Sequence, residues 1–381
     1  MTNFLIKGKI ITEITVGGIF MWGDIAIAFL LAFITAYVIT PYTIRFAKKI
    51  GALDLPKSKR KIHDHPMPRL GGIAVIAGFL VSTIYLLIVM SLEGTLNLFG
   101  PDNYYIKLIG FFIGLLIIAV FCFFDDWKGI PPYVKLIGQI LAALVVAFSG
   151  IRIDRIVIYN SNPIVTDEIF SIVLTVIWIV GITNAINLID GLDGLSSGIC
   201  LISCLSLLII FTLNDSPLIA ILLITALGGA LVGFLPFNFN PAKTFIGDTG
   251  SNFLGYALSI ISILGIAKTY TAIVLIAPLI VFALPLFDTV SAIFRRLIKT
   301  KSIKGVFKAD REHLHHKLMK MGYTQKQSVF ILYGVSATFG MFAIILLESG
   351  VWKALSFALM VIAVVAIGYK DIFKTRTDEE K

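Results

Sequence analysis

Eleven runs of about 20 mostly apolar residues divide this chain, centred near Phe33, Ala77, Ile117, Leu141, Val176, Leu207, Leu223, Ser259, Ile280, Ser336 and Met360. A run of that length crosses the hydrocarbon of a bilayer as one α-helix. Lipid offers no partner to a free peptide group, so such spans must close their hydrogen bonds within helices. The expected fold is therefore all-α: a polytopic membrane protein with about 11 transmembrane helices. Composition agrees, with 57% of the 381 residues hydrophobic and 14% charged, where a soluble domain carries roughly a quarter charged. Mean hydropathy is +0.93.

The basic residues follow the connections. Arg45 to Arg69 holds eight Lys or Arg, and Arg295 to Lys326 holds ten. With Lys128, Lys135, Lys243 and the C-terminal tail, the loops after odd-numbered runs carry 25 of the 32 basic residues. The positive-inside rule then sets the N-terminus outside and the C-terminus in the cytoplasm. This distribution accounts for the net charge of +9 without a nucleic-acid partner. The first 23 residues carry Lys7 and Lys9 but no long apolar core, so no cleaved signal peptide is expected. The chain reads as one integral membrane domain over 1–381, with a polar cytoplasmic tail at 370–381. Cys122, Cys200 and Cys204 fall inside apolar runs without metal spacing, which points to packing. No fixed-period repeat appears, which argues against inverted-repeat transporters. Between Gly150 and Glu168 an alternating IRIDRIVIY followed by SNPIVTD suggests a small hairpin. Pro285 and Asp288 suggest that the ninth helix is bent or broken near 287–296. The basic stretch that follows is partly amphipathic and suits either an anionic lipid surface or an ordinary cytoplasmic loop.

Against this background eight carboxylates stand out beside the apolar runs: Asp64, Asp125, Asp126, Asp190, Asp193, Asp248, Asp288 and Asp310. A charge at the bilayer centre costs about 2.5–3.5 kcal/mol on insertion scales, so repeated acids at span boundaries point to a built site. Carboxylates with amides and few thiols suit a hard cation such as Mg²⁺ and the phosphates it bridges.

In NAINLIDGLDGL, Asn184, Asn187, Asp190 and Asp193 recur every third position. That spacing drifts about 60° per step on a helix, so the helix must end near Gly191 and leave the last acids on a turn. A membrane helix unwinding there is tolerated where it lines a polar cavity. FNFNPAKTFIGDTGSNFLG joins Asn238, Asn240 and Lys243 to Phe245, Gly247, Asp248 and Ser251. Ser251 is expected to cap the next helix, whose positive end then faces an anion, and Phe245 can stack on a base. Asp125 and Asp126 end the third run; adjacent side chains diverge, so at most one is expected to act directly. In DREHLHHK, Arg311 and His315 share a helix face, as do His313 and Lys317, with His316 beside them. Such a cluster reads as a pyrophosphate clamp; zinc competes but lacks cysteines and the usual spacing. In HDHPMPRLGG, Lys61, His63, His65 and Arg69 can serve a lipid surface or a substrate phosphate, or form a plain basic loop.

The ordered set HPxPRxGG, DDxxG, NAxNxxDGxDGL, NxxPAxxFxGDxGS and DRxHxHH resembles the polyprenyl-phosphate N-acetylhexosamine-1-phosphate transferases over roughly residues 60 to 320. That resemblance implies a multi-pass protein of the plasma membrane with its site on the cytoplasmic face, a UDP-sugar donor, a polyprenyl phosphate acceptor and Mg²⁺, for which Mn²⁺ can stand in. It leaves a homodimer open. The peptidoglycan branch, which transfers phospho-MurNAc-pentapeptide, typically has three consecutive histidines and a glutamate. The string here is HLHHK, similar to the branch that makes undecaprenyl-diphospho-GlcNAc (WecA and TagO type) for cell-envelope glycopolymers. Carried over by motif, Asp248 resembles the magnesium ligand with Asn187 beside it, and Asp193 and Phe245 match uracil contacts with Asn238 near the nucleoside. Asn184 and Asp190 belong to the same substrate-binding string. Asp125 and Asp126 match the pair assigned to the lipid phosphate and Mg²⁺. Arg311, His313, His315 and His316 match the diphosphate and sugar region, and Lys135 occupies a plausible phosphate position. An ion-coupled transporter normally buries acids near the midplane. A CDP-alcohol phosphotransferase needs a Gly-Ala-Arg string between acids that is absent here, and Phe245 stands where an intramembrane aspartyl protease needs its first glycine.

Overall fold

A computed structural model describes residues 2–56, 65–94, 103–156, 164–165, 167–266, 272–302 and 312–364. The side chains of residues 2–21 and of a few positions beside the gaps are not among those described. In chain order the elements are α1 (Thr2–Ile50), β1 (Leu53–Asp54), β2 (Met67–Pro68), α2 (Gly72–Leu92), α3 (Tyr104–Lys128) and α4 (Pro132–Phe148). Then come β3 (Arg155–Ile156), β4 (Ile164–Val165), α5 (Glu168–Ile189), α6 (Leu195–Leu213), α7 (Leu218–Asn238) and α8 (Gly247–Ile266). The last are α9 (Ala272–Val281), α10 (Ala283–Thr300), α11 (Leu314–Lys320), α12 (Gln325–Ser349) and a short apolar α13 (Val351–Val364).

Each of the eleven apolar centres falls on a helix, but their lengths differ. Seven helices among the described residues are long and apolar enough to cross a membrane: Trp22–Ile50 of α1, and α2, α3, α5, α6, α7 and α12. α4 and α13 are apolar but shorter. α8 begins with Gly-Asp-Thr-Gly-Ser-Asn, which takes its first turns out of the apolar pattern. The ninth run is broken, as Pro285 suggested, and the break falls at Phe282 between α9 and α10, earlier than expected. Pro285 has no N–H to give the carbonyl four residues back, so the ladder weakens on its N-terminal side. The hairpin expected after Gly150 is present in its paired ends, Arg155 with Val165 and Ile156 with Ile164; its turn lies outside the described residues. So do Lys61, His63, Asp64, Asp310, Arg311 and the tail 370–381.

α7 and α8 form the centre of the bundle. α1 packs along α7 and α2, α5 along α8, α3 against α4 and α8, and α12 against α6. Gly229 and Gly233 of α7 face the carbonyls of Phe29 and Phe33 on α1, where a Cβ would overlap them. This four-residue spacing of small residues lets two helices approach backbone to backbone. The outward faces are apolar: α3 exposes Ile106, Ile109, Ile113, Leu116 and Val120 while burying Phe111, Leu115, Ile118 and Cys122. A surface of that kind suits lipid rather than water.

Candidate active site at one end of the bundle

The site is organised by the start of α8. Its first N–H groups have no partner within the helix, and another helix supplies the acceptors. Asp126, near the end of α3, accepts the Asp248 N–H through Oδ1 at 2.8 Å. Its Oδ2 accepts the Thr249 N–H at 2.8 Å and the Thr249 hydroxyl at 2.7 Å. The Asp126 side chain is 0% exposed. Ser251, expected as this helix's cap, instead lies inside α8 and donates to the Gly247 carbonyl at 2.9 Å. The helix begins five residues earlier than a cap at Ser251 would place it, and a carboxylate from 122 residues away takes over the cap. α2 presses against the same turn. Gly72 donates its N–H to the Ile246 carbonyl at 2.8 Å, and a Cβ on Gly72 would collide with the backbone of Gly250.

Capping by Asp126 fixes where the Asp248 carboxylate stands. Lys135 Nζ from α4 lies 2.7 Å from its Oδ1 and 2.5 Å from Asp125 Oδ2, so one ammonium bridges two acids. Asp125 Oδ1 also accepts the Ile130 N–H at 2.9 Å, which folds the chain back after α3. Arg69 Nη2 pairs with Asp248 Oδ2 at 3.0 Å, and its Nε lies 3.5 Å from Asp126 Oδ1. Asn187 Nδ2 donates to Asp248 Oδ1 at 2.8 Å and to Ser251 Oγ at 2.9 Å.

α5 ends at Ile189 with Asp190 as its C-cap, one residue before the glycine that marked the end in the sequence. Asp190 Oδ1 accepts the Ser196 hydroxyl at 2.7 Å. Burial pushes its carboxyl up to about 7, against the pull of that hydrogen bond, and the charges of Asp248 and Asp126 add to the rise. Asp193 Oδ2 accepts from Asn240 Nδ2 at 2.8 Å and from the Ala242 N–H at 3.2 Å. It thus ties the turn after α5 to the turn after α7. Asn238 is committed inward, accepting from the Ser197 hydroxyl at 2.7 Å and donating to the Thr244 carbonyl at 3.0 Å. Phe245 is held by backbone bonds to Pro68 and Gly71. Together these turns enclose a cavity of about 440 Å³ whose wall includes Arg69, Asn187, Asp190, Asp193, Asn238, Phe245, Asp248 and His316.

Asn184, His313 and His315, also singled out by sequence, are not among the residues lining that wall. Asn184 sits in an amide ladder: its Nδ2 donates to Gln139 Oε1 at 2.7 Å, Gln139 Nε2 donates to Asn252 Oδ1 at 2.7 Å, and Asn252 Nδ2 donates to the Asp248 carbonyl at 2.8 Å. His313 Nδ1 lies 2.8 Å from Asp288 Oδ2. His315 is 2% exposed, and burial, helped by His316 and His313, pushes its pKa down to about 3. His316 touches His315, with ring centroids 4.2 Å apart, and reaches the cavity.

Several residues at the site carried little sequence signal. Arg69 belongs to the HPxPRxGG string, but the sequence does not reveal its pairing with Asp126 and Asp248. Gln139 lies one helical turn after Lys135, so the i, i+4 spacing could have paired them. Asp54 and Gln325, an ordinary loop residue and a helix start in sequence, also line the cavity, as does His65 of the HDHPMPRLGG loop.

The donors present fit a hard cation. Asp248 carries oxygen ligands at the cavity wall, now engaged by two cations and an amide, and the Asn187 side chain stands beside it. Among the described residues no group of three or more His, Cys, Asp or Glu forms a complete cage. Mg²⁺ characteristically takes one or two carboxylates and completes its shell with water and substrate phosphates. Asp248, with Asn187 and Asp125 nearby, is the position that would hold it.

Acids, an ammonium and a guanidinium gathered beside a cavity at one end of a helix bundle are groups that can hold phosphates and a divalent cation. Residues 108–266 match the model of glycosyl transferase family 4. The chain is 37% identical over 339 residues to a probable undecaprenyl-phosphate N-acetylglucosaminyl 1-phosphate transferase of Bacillus subtilis (strain 168), covering 87% of each chain. It is 31% identical over 368 residues to a decaprenyl-phosphate N-acetylglucosaminephosphotransferase of Mycolicibacterium smegmatis, covering 90% of this chain and 87% of the relative. It is also 30% identical over 335 residues to a phospho-N-acetylmuramoyl-pentapeptide-transferase of Halalkalibacterium halodurans, covering 83% and 95%. The chain belongs to the polyprenyl-phosphate sugar-1-phosphate transferases of glycosyl transferase family 4.

Proposed function

We propose that the protein transfers N-acetylglucosamine-1-phosphate from UDP-GlcNAc to undecaprenyl phosphate in the plasma membrane, releasing UMP and forming the first lipid-linked sugar of a cell-envelope glycopolymer. The observation that carries this reading is Asp248, held by Arg69 and by the Lys135 that also binds Asp125, at the wall of a cavity shared with the Asp190–Asp193 turn, Asn238 and Phe245. Likeness to the Bacillus subtilis relative supports the sugar and the lipid. The loop charges support a cytoplasmic site and an N-terminus outside.

On this reading Phe245 stacks on the uracil, and Asp193, with one carboxylate oxygen tied to Asn240 and Ala242, offers its other oxygen to the uracil N–H. Lys135 and Arg69 face the phosphates, where donors fixed in advance lower the cost of developing charge. A magnesium ion held at Asp248 supplies further charge neutralisation. The lipid phosphate has a second pKa near 6 and needs no strong base at pH 7. Asp126 has both oxygens occupied and no exposed surface, and Asp125 is engaged by Ile130 and Lys135. Neither has the freedom of a nucleophile, which favours direct displacement of UMP by the lipid phosphate over a phosphoryl-aspartate. Positioning and charge then supply most of the rate.

The decisive assay is radiolabel transfer into extractable lipid, with UDP-GlcNAc and UDP-MurNAc-pentapeptide in competition. Preference for the second donor overturns the sugar assignment while leaving the family intact. Asp248→Ala should abolish transfer; activity with unchanged magnesium dependence overturns the metal assignment. Initial-rate plots against the two substrates should intersect. Parallel lines with UDP-GlcNAc–UMP exchange in the absence of lipid would establish a covalent intermediate.

A further inference from the structure

α10 and the histidine segment meet at a buried contact that the reaction above leaves without a role. Asp288, 1% exposed, uses both carboxylate oxygens on this segment. Oδ1 accepts the Leu314 N–H at 3.0 Å, capping the start of α11, and Oδ2 lies 2.8 Å from His313 Nδ1. An ionised carboxylate only accepts hydrogen bonds, so the ring nitrogen must be the donor. His313 Nδ1 therefore carries a proton, and Nε2, on the other side of the ring, is the position left to exchange one.

From this contact a row of rings runs to the cavity. The His313 and His315 rings are parallel within 4°, with centroids 5.8 Å apart, and His315 abuts His316 at the wall. On its far side His315 packs against Gly191, between the two acids of the Asp190–Asp193 turn, where a Cβ would overlap the imidazole. His315 Nδ1 is buried without a hydrogen-bond partner, so packing against Gly191 and the neighbouring rings holds that edge of the ring. A second tether holds the residue before the row: Glu312 pairs with Lys299 at 2.5 Å and with Arg295 at 3.5 Å, both on α10. That tether is more exposed than the Asp288–His313 contact.

We propose that Asp288 is a positioning residue of the transfer site: it holds His313 in the Nδ1–H form and, through the stacked His315, sets His316 at the cavity wall. The proposal rests on the transferase reading for its kinetic consequence but not for its structural one. Asp288→Asn separates the two functions of the carboxylate. The amide oxygen still accepts the Leu314 N–H and the volume is unchanged, but the amide nitrogen now donates toward His313 and drives its proton to Nε2. Asp288→Ala removes cap and partner together.

The test uses the full chain in detergent or lipid. Its five histidines make ¹⁵N-histidine labelling selective. The wild-type spectrum should contain a hydrogen-bonded Nδ1–H imidazole, assigned through His313→Gln, which converts to Nε2–H in Asp288→Asn. In the transfer assay Asp288→Asn should lower kcat by about 10-fold or more, since losing a carboxylate that orients a functional histidine costs from about 10-fold to about 10⁴-fold. Its KM for UDP-GlcNAc and thermal midpoint should stay near wild type, while Asp288→Ala should lower the midpoint as well. Wild-type kcat in Asp288→Asn overturns the proposal, as does an unchanged tautomer. A kcat loss in Asp288→Asn matched by the same drop in midpoint as Asp288→Ala reduces Asp288 to a structural cap and also overturns it. If the wild-type protein transfers no sugar phosphate at all, the functional reading fails, and the tautomer measurement still decides the role of Asp288.

Discussion

Replacing Asp126 with Asn should destabilise the protein as well as inactivate it, because this carboxylate acts on a helix. Oδ1 and Oδ2 receive two N–H groups of the first turn of α8 and one hydroxyl, all between 2.7 and 2.8 Å, with the side chain fully buried. An asparagine has one acceptor oxygen. If that oxygen keeps Thr249, the amide nitrogen faces the Asp248 N–H, donor against donor. The loss is one charge-assisted hydrogen bond, about 1.5–3 kcal/mol, plus about 0.3–1 kcal/mol for a negative charge at a helix N-terminus. The expected destabilisation is therefore about 2–4 kcal/mol. Alanine should cost more, since both N–H groups and the hydroxyl are then left buried and unpaired. The assay is denaturant unfolding of the purified protein in mixed micelles, run beside the transfer assay. An Asn variant as stable as wild type but inactive would refute the reasoning, because Asp126 would then be acting on a reacting atom.

Lys135→Met removes the ammonium between Asp125 and Asp248 and should lower transfer by about 100-fold, the order seen when one preorganised donor to developing charge is lost; wild-type turnover would remove Lys135 from the site. Asp190 has a folded pKa of about 7, above its ordinary 3.8. Its ionised form is therefore disfavoured by folding, and that cost is absent below about pH 4, grows between about 4 and 7, and is complete above 7. Without divalent cations Asp190→Asn should melt above wild type at pH 8, with the gap closing as the pH falls toward 4; a constant gap would contradict the burial argument. Gly72→Ala puts a methyl into the Gly250 backbone and should cost about 1–3 kcal/mol or more as overpacking; a full yield of protein with an unchanged thermal midpoint would show that α2 and α8 can separate at no cost.

What could be read from the sequence follows the range of the forces involved. Apolar runs report local helices, and each of the eleven centres is helical, although length and polarity limit the clear spans among the described residues to seven. The end of α5 was legible because a three-residue polar spacing cannot hold one helix face. Most residues lining the cavity belong to strings that stand out in the sequence, but the contacts each one makes were not legible there. Asp126 and Thr249 are 123 positions apart, and Arg69 and Asp248 are 179 apart. No local periodicity encodes those pairs. Asn184 illustrates the consequence: in sequence it belongs with Asn187 and Asp190, yet its helical phase turns it to Gln139, one layer behind the cavity. Ser251 has the chemistry of a cap, but the backbone had already entered the helix at Gly247.

Charge balance connects the two cations to the proposed reaction. Asp125, Asp126 and Asp248 stand against Arg69 and Lys135, which leaves one negative charge in excess before any substrate binds. The Asp190 carboxyl is raised chiefly by burial, and the charges of Asp248 and Asp126 add to the rise, so a further full charge here is resisted. A nucleoside diphosphate sugar and a lipid monophosphate would bring roughly four more negative charges into a partly desolvated cavity. Uncompensated charges in such a place cost several kcal/mol each, and both basic side chains are already committed to carboxylates. A divalent cation held at Asp248 would offset part of that excess, and Lys135 and Arg69, the two cations now on Asp248, would then be available to the phosphates. The proposed magnesium dependence thus has a cause in this chain's own charge count, independent of any resemblance. It also gives a reason for Asp126 to be buried and fully bonded: spent on the α8 backbone, its charge fixes the helix start without opposing the incoming phosphates at close range.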